Sequence, residues 1–93
     1  MEIQHVNNTK NGVFFIEDDG QRLAEMTYVW SGDNKFIIDH TQVSDLLKGK
    51  GIGKQLVMAA VAFARQNRYK IMPLCPFAKR VFDSTPGINE VLF

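Results

Sequence analysis

The sequence predicts one mixed α/β domain of the α+β type: an antiparallel β-meander, then a glycine loop, a helix, a parallel strand and a short C-terminal helix. The first half holds β-prone runs separated by turn residues, a glycine-rich loop opens a long amphipathic stretch, and a short apolar run follows it. A length of 93 residues fits a single domain spanning residues 1–93. With 45% hydrophobic and 23% charged residues, the composition is that of a folded globular chain.

The β-meander is predicted from three runs. Gly12 to Glu17 is the first, and the pair Asp19-Gly20 after it favours a tight hairpin, because glycine accepts the positive φ that such turns need. The second run is Arg22 to Trp30, in which the alternation predicts a strand with both faces largely covered. Lys35 to Val43 is the third, and Ile3 to Val6 is a candidate short strand before them.

The second half of the chain is predicted to begin with a helix. From Ile52 to Arg68 no proline interrupts an amphipathic pattern that ends at Asn67 or Arg68. Apolar residues recur there at steps of three or four, namely Ile52, Leu56, Ala60 and Phe63. Tyr69 to Leu74 predicts a short strand, parallel to the third run because a helix crossover joins them. Phe77 to Phe82 predicts a further short helix, and no element is assigned from Ser84 to Phe93.

The large apolar side chains are predicted to form the core, because their spacing follows the predicted elements. These residues are Phe14, Phe15, Met26, Trp30, Phe36, Met58, Phe63 and Met72.

Charge is divided unevenly along the chain. Residues 1–47 carry three basic and eight acidic side chains, a net charge of −5, whereas residues 48–93 carry eight basic and two acidic, a net charge of +6. The basic half is therefore expected to face an anionic partner. Nucleic acid is not the expected one, because the sequence has no RNP-type aromatic motif and no helix-turn-helix pattern.

The cysteine and hydropathy patterns indicate a cytoplasmic protein. Cys75 has no internal disulfide partner, and no Cys or His pair has the spacing of zinc ligands, so neither a disulfide nor a metal is expected. Met1 to Gly12 is polar, and the longest apolar run, Leu56 to Ala64, is far short of the roughly 18 residues that span a bilayer. No membrane partner is expected, and the sequence is compatible with a monomer.

The segment from Lys48 to Lys54 (KGKGIGK) carries most of the chemistry. Alternate glycines let the main chain approach a ligand and adopt positive φ, while the first turn of the following helix leaves N–H groups unpaired. The helix dipole and three lysines favour a di-anion such as pyrophosphate. A Walker A loop is excluded, since it requires glycine at Lys48 and Ser or Thr at Gln55. The Rossmann fingerprint also fails, because Lys54 takes the place of its third glycine.

These residues resemble the acetyl-CoA motif of the GNAT superfamily of N-acetyltransferases, R/Q-x-x-G-x-G/A at the start of a helix. Lys48 to Gly53 is similar to it, with Lys48 in place of the usual Arg or Gln. His40 to Val43 (HTQV) and Pro73 to Arg80 (PLCPFAKR) resemble the small single-domain GNAT-like acetyltransferases, in which an acidic residue is common where Gln42 stands. The resemblance covers nearly the whole chain and implies a GNAT-like fold.

The resemblance also implies an activity: acetyl-CoA-dependent transfer of acetyl to an amine, whether a small amine, a polyamine, or a protein lysine or N-terminus. Acetyl-CoA is the implied co-substrate, with its pantetheine arm between the third strand and the strand at Tyr69 to Leu74. The main chain of the loop would hold the pyrophosphate, and two basic residues of the last helix are candidates for the adenosine 3′-phosphate. The expected cofactor-binding residues are Val43, Lys48, Gly49, Lys50, Gly51, Ile52, Gly53, Lys54, Lys79 and Arg80.

Two residues are candidates for catalysis. Cys75 is expected near the thioester, as a covalent acetyl acceptor or a proton donor, and a small buried core residue is the alternative. His40 is a candidate base, and its alternative is a strand histidine hydrogen-bonded to Asp39 or Thr41. A tyrosine is the donor to the thiolate in many GNAT enzymes, but the alternation favours packing for both tyrosines of this chain. A non-catalytic acyl-CoA-binding sensor or interaction module is the alternative function.

Overall fold

Five strands form one sheet in the order β1-β2-β3-β4-β5, with two helices packed against one of its faces. This computed structural model describes residues 2–93. The first four strands are antiparallel neighbours, and β4 pairs with β5 in parallel. The elements are β1 (Gln4–Asn7), β2 (Asn11–Asp18), β3 (Gln21–Trp30), β4 (Lys35–Val43), α1 (Ile52–Asn67), β5 (Lys70–Pro73) and α2 (Pro76–Ser84). The predicted mixed α/β fold class is confirmed.

The turn between β2 and β3 has the predicted hairpin geometry. Asp19 and Gly20 both adopt positive φ, 51° and 75°, between the paired residues Asp18 and Gln21. Two successive residues with positive φ match the twist of antiparallel strands, which is why Asp-Gly is favoured there.

The sheet has a covered face and an open face. On β3, Ala24, Met26 and Tyr28 are buried beneath the helices, whereas Thr27 and Val29 point to the other side and are only half-buried. We call that other side the open face. No residue from 23 to 30 is exposed, which agrees with the prediction that both faces of this strand are largely covered, although both helices pack on the same side of the sheet.

A β-bulge interrupts the pairing of β3 with β4. Tyr28 is opposite Ile38 and the preceding residue, Thr27, is opposite His40, so Asp39 is the extra residue. Side chains alternate along a strand, and an extra residue exchanges the two faces beyond it. Beyond the bulge, Thr41 is the residue of β4 that faces the helices, and His40 lies on the open face with Thr27.

Strands β4 and β5 separate beyond the bulge. Their last pair is Ile38 with Pro73, and the main-chain N–H groups of Leu74 and Cys75 both donate to the Ile38 carbonyl, at 3.0 Å. β5 ends there, whereas β4 continues to Val43. The two segments of main chain that follow Ile38 and Pro73 therefore diverge. We call the opening between residues 39–43 and residues 74–77 the split.

The two predicted helices are present at the expected positions, and their bounds are close to the predicted ones. Helix α1 ends as predicted, with Arg68 at φ 61° after it, and α2 begins one residue earlier than predicted, at Pro76. Two one-turn 3-10 helices were not predicted, Asp45–Leu47 and Asn89–Val91. Within residues 2–93, no helix combines the length and hydropathy needed to cross a membrane.

The core prediction is right for four of the large residues and wrong for one. Phe14, Phe15, Met26 and Phe36 are buried. Trp30, Met58 and Phe63 are partly buried and pack against the core. Met72 is 36% exposed, because its place on β5 directs it to the open face, where no helix covers it.

Candidate cofactor site and active site

The glycine loop has the main-chain geometry of an anion site. Gly49 and Gly51 adopt positive φ, 78° and 70°, and Gly51 is the N-terminal cap of α1. The N–H of Gln55 makes the first hydrogen bond of the helix, to the Gly51 carbonyl at 3.1 Å. The N–H groups of residues 52–54 precede that bond, so they have no carbonyl partner within the helix. These donors are available to a phosphate oxygen.

The electrostatics of the loop also favour an anion. The first turn of α1 contains no acidic residue, so the partial positive charge of the helix end is not neutralised there. Lys50 and Lys54 are exposed on the loop and the first turn. Lys48 is also exposed, and its Nζ lies 2.9 Å from the Oδ1 of Asp45 in the preceding 3-10 helix. One of the three lysines is thus already paired with a carboxylate.

A cavity of about 380 Å³ lies against this loop. It brings together seven of the ten expected cofactor-binding residues: Val43, Lys48, Gly49, Gly51, Ile52, Gly53 and Lys54. Its lining also includes Leu47, Phe77 and Val81, which the sequence analysis did not identify. The signal available for the last two was their apolar spacing of four residues on α2, which places them on one side of a helix.

Gly53 is required by the packing of α2 on α1. A Cβ at this position would lie 2.4 Å from Cζ of the Phe77 ring, which is far closer than carbon atoms approach one another. The ring therefore covers the main chain of the first turn of α1. Glycine at this position lets Phe77 form a wall of the cavity.

Three expected cofactor ligands lie outside the lining of the cavity. Lys79 and Arg80 are exposed on α2, and Lys79 Nζ is 3.5 Å from the Asp83 carboxylate one turn later. Lys50 is also outside the lining.

Cys75 lies at the inner end of the split and is the N-terminal cap of α2. Its side chain is buried, and Sγ is 3.5 Å from Thr41 Oγ1. Burial raises the pKa of the thiol, but hydrogen bonding with the Thr41 hydroxyl and with the main chain at Ala78, Phe77 and Thr41 outweighs it, so the pKa is lowered overall. Donors of this kind stabilise a thiolate.

His40 is not close to the thiol side of the strand. It is exposed on the open face, whereas Cys75 contacts the side of β4 that faces the helices. Both expected hydrogen-bond partners of His40 are bonded to other side chains: Asp39 accepts a hydrogen bond of 2.6 Å from the Thr27 hydroxyl, and the Thr41 hydroxyl accepts one from the Cys75 thiol. The two candidate catalytic residues therefore lie on opposite sides of one strand.

The tyrosines pack, as the alternation predicts. Tyr28 is fully buried, and its hydroxyl is 2.6 Å from His5 Nε2 and accepts a hydrogen bond from Asn7 at 3.3 Å. Burial raises the pKa of Tyr28 and lowers that of His5. Tyr69 lies edge-on to Trp30, with ring centroids 5.1 Å apart. Both hydroxyl-bearing rings are thus part of one aromatic cluster with Phe63.

Across residues 2–93, no three side chains of His, Cys, Asp or Glu are grouped closely enough to hold a metal ion.

Solved structures similar to this chain are acetyltransferases of related fold. A GCN5-like protein from Staphylococcus aureus, solved in solution by NMR, is 39% identical, with a TM-score of 0.77 over 99% of this chain and 87% of that one. A ribosomal-protein-alanine N-acetyltransferase from Brucella melitensis shares the fold at 17% identity, with a TM-score of 0.66 over 80% of this chain and 61% of that one. An aminoglycoside acetyltransferase from a soil metagenome shares it at 18%, with a TM-score of 0.67 over 86% of this chain and 59% of that one.

The sequence comparisons identify the family directly. No curated protein matches this sequence at a significant level. The profile of the GCN5-related N-acetyl-transferase family matches residues 13–91, which include the sheet from β2 onward, the glycine loop and both helices. Together with the 39% identity to the S. aureus structure, this match shows that the chain belongs to the GCN5-related N-acetyltransferase family of enzymes.

Proposed function

We propose that this enzyme transfers an acetyl group from acetyl-CoA to an amine. The observation that carries the proposal is the set of three N–H groups at residues 52–54 that have no carbonyl partner within the helix. They lie at a cavity that is flanked by lysines and is next to the split. Val43 connects the two features, since it ends β4 and lines the cavity.

The proposed cofactor lies along β4. The pyrophosphate contacts the main chain from Gly49 to Lys54, where the helix dipole and lysines offset its charge. Phe77 and Val81 form the apolar wall of this cavity. The pantetheine arm occupies the split, where residues 39–43 have an edge that β5 does not pair. The exposed Lys79 and Arg80 have room to turn toward the adenosine 3′-phosphate.

The proposed reaction is a direct transfer. The amine nitrogen attacks the thioester carbonyl, the new N–C bond forms and the C–S bond breaks, and its electron pair stays on the sulfur of coenzyme A. Cys75 donates its thiol proton to that sulfur and recovers a proton from water. The pKa of the Cys75 thiol is lowered toward neutrality, and an acid with such a pKa is suited to proton transfer at physiological pH.

The acceptor amine approaches from the open face. His40 is exposed there, within one residue of the bulge, and takes the proton that the amine loses. An enzyme that binds the cofactor from one side of a strand and the acceptor from the other needs no contact between its acid and its base.

The cofactor site is tested by isothermal titration with acetyl-CoA. Wild type binds, and the charge reversal Lys54→Glu weakens binding about tenfold, because a positive charge near the diphosphate becomes negative. Lys10→Glu is the matched control: it also reverses an exposed lysine, but before β2 at the far end of the sheet, so it leaves the affinity unchanged. Absence of heat with folded wild type at millimolar acetyl-CoA would rule out the site.

The chemistry is tested with a panel of amines and peptides, by the release of free coenzyme A. Cys75→Ala lowers kcat if the thiol is the proton donor, and full turnover by this variant rejects its role. Intact mass of the protein after mixing with acetyl-CoA, with no amine present, separates the two roles of the thiol. A covalent mechanism adds one acetyl group to Cys75, and the direct transfer proposed here adds none.

A further inference from the structure

Among the side chains of residues 2–93, that of Thr41 is the hydrogen-bond partner of the Cys75 thiol across the split. Its hydroxyl is 3.5 Å from Sγ, on a different element and 34 residues away in sequence. We propose that Thr41 is a positioning residue, whose hydroxyl orients the Cys75 thiol and stabilises the sulfur after its proton has left. This inference rests on the proposed role of Cys75 in acetyl transfer.

The bulge in β4 is what selects Thr41 for this place. Ile38 is buried on the side that faces the helices, and strict alternation from it would direct residue 40 to the same side. Because Asp39 is inserted, His40 is opposite Thr27 on the open face, and Thr41 comes to face Cys75. A bulge costs a regular pairing, and this one lies two residues before the contact that it makes possible.

The main chain holds the two residues in register. The N–H groups of Leu74 and Cys75 both donate to the carbonyl of Ile38, which lies three residues before Thr41 on the same strand. The Cys75 carbonyl in turn accepts the N–H of Lys79 in the first turn of α2. The backbone of Cys75 is therefore fixed to β4 and to α2, and the remaining freedom of the thiol is the rotation of its side chain, which the hydrogen bond to Thr41 limits.

A threonine hydroxyl suits both states of the thiol. It accepts a hydrogen bond from S–H before proton transfer, and after rotation it donates to the thiolate. The donors of the α2 N-terminus, the main-chain groups of Phe77 and Ala78, act on the same sulfur but cannot accept its proton. Among these groups, only the Thr41 hydroxyl can hydrogen-bond the sulfur in both of its states, as an acceptor from the thiol and as a donor to the thiolate.

Charged groups on the neighbouring elements do not account for the state of the thiol. On β4, Asp39 is bonded to Thr27 and His40 is on the open face. On α2, Lys79 is beside Asp83, and Arg80 is exposed. Within residues 2–93, the shift of the Cys75 pKa arises from burial and hydrogen bonds, with no charged side chain among its causes.

The test measures the pH dependence of Cys75 alkylation by iodoacetamide, which requires no substrate and has no competing cysteine in this chain. Thr41→Val keeps the shape and removes the hydroxyl. We expect its alkylation at neutral pH to be about fivefold slower, with the profile displaced to higher pH, because the thiolate loses a donor. Thr41→Ser restores the hydroxyl and the wild-type profile. Thr41→Ala serves as a second variant without a hydroxyl if the valine variant does not fold.

Thr27→Val is the matched control. It removes a strand hydroxyl that bonds Asp39 at 2.6 Å on the opposite side of the sheet, so it leaves the alkylation profile unchanged. A wild-type profile in Thr41→Val would overturn the proposal. Equal slowing in Thr41→Ser and Thr41→Val would also overturn it, because the methyl group rather than the hydroxyl would then be the relevant feature.

The same variants separate this inference from the proposed function. In the turnover assay, Thr41→Val is expected to lower kcat and to leave the KM for acetyl-CoA unchanged, since the residue acts through the thiol. Full turnover by Cys75→Ala would reject the catalytic role of the thiol, whereas the alkylation series decides the role of Thr41 with no acetyl-CoA present.

Discussion

The contact between Gly53 and Phe77 provides a perturbation with two opposing effects. In Gly53→Ala, the new Cβ would lie 2.4 Å from Cζ and 2.6 Å from Cε2 of the ring. Contact distances between carbon atoms are about 3.5–4.0 Å, so the ring must move by roughly 1 Å or more. Against this clash, alanine is a better helix former than glycine by up to about 1 kcal/mol.

The free-energy cost of the steric clash is larger than the gain in helix propensity. Inserting a methyl group into a packed site costs about 1–3 kcal/mol. The Phe77 ring is half-buried and part of its movement can be toward solvent, which places the cost near the middle of this range. The net destabilisation is therefore about 1 kcal/mol, which corresponds to a fall in Tm of about 4–8 °C for a domain of this size. Because Phe77 lines the cavity, acetyl-CoA binding is weakened as well.

Urea unfolding of four proteins measures both effects. In wild type, Gly53→Ala lowers the free energy of unfolding. In a Phe77→Ala background the clash is absent, so the same substitution raises the free energy of unfolding by its helix propensity. This reversal of sign is the diagnostic result. A Gly53→Ala protein as stable as wild type or more stable would refute the packing argument.

Three further outcomes follow from single contacts. Asp45→Asn releases Lys48 from its 2.9 Å ion pair and tightens acetyl-CoA binding about two- to fivefold, measured by calorimetry. Gly12→Ala places a Cβ 2.4 Å from Cζ of the fully buried Tyr28 and lowers the free energy of unfolding by about 2–3 kcal/mol in urea. Burial lowers the pKa of His5 below 6.5, so its stabilisation is complete above that pH and is lost as the pH falls through the folded-state pKa. Urea melts between pH 8 and pH 5 show the loss.

Each of these outcomes has a control in the same chain. Glu90→Gln also frees a basic side chain, Arg65 of α1, but neither residue lines the cavity, and its smaller effect on affinity separates release of Lys48 from a general change in charge. His5→Gln removes the titrating ring, and an unchanged pH slope in this variant would assign the slope to other groups. A Gly12→Ala protein with wild-type stability would mean that the Tyr28 ring is not held in place.

Local signals in the sequence were sufficient for the elements and for the loop. The Asp19-Gly20 pair identifies the hairpin because its conformation depends on two residues alone. The glycine loop is equally local, since its free N–H groups follow from the start of a helix. Seven of the ten expected cofactor-binding residues line one cavity for the same reason: they are neighbours in the chain.

The features that the sequence did not predict depend on the packing and pairing of elements that are distant in the chain. The bulge at Asp39 depends on the register between β3 and β4, and no residue type in β4 predicts it. The sequence analysis therefore did not find which sides of the strand His40 and Thr41 face. Phe77 lines the cavity because α2 docks on the first turn of α1, where a missing Cβ admits its ring. Met72 alternates like a core residue, but the alternation of β5 does not tell which face of the sheet a helix covers.

The division of charge along the chain matches the division of the proposed reactants between the two sides of β4. The segment with net charge −5 forms β1 to β4, and its Glu25 and Asp39 line a concavity of about 330 Å³ that reaches the open face, together with Arg22, which pairs with Glu25 at 3.4 Å. The segment with net charge +6 begins at Lys48 and supplies the glycine loop and both helices. A protonated amine and a diphosphate are attracted to opposite signs of potential. In the proposed arrangement the two reactants approach different sides of one strand, and their reacting atoms meet near the bulge, where β4 is no longer paired with β5 and its edge is open.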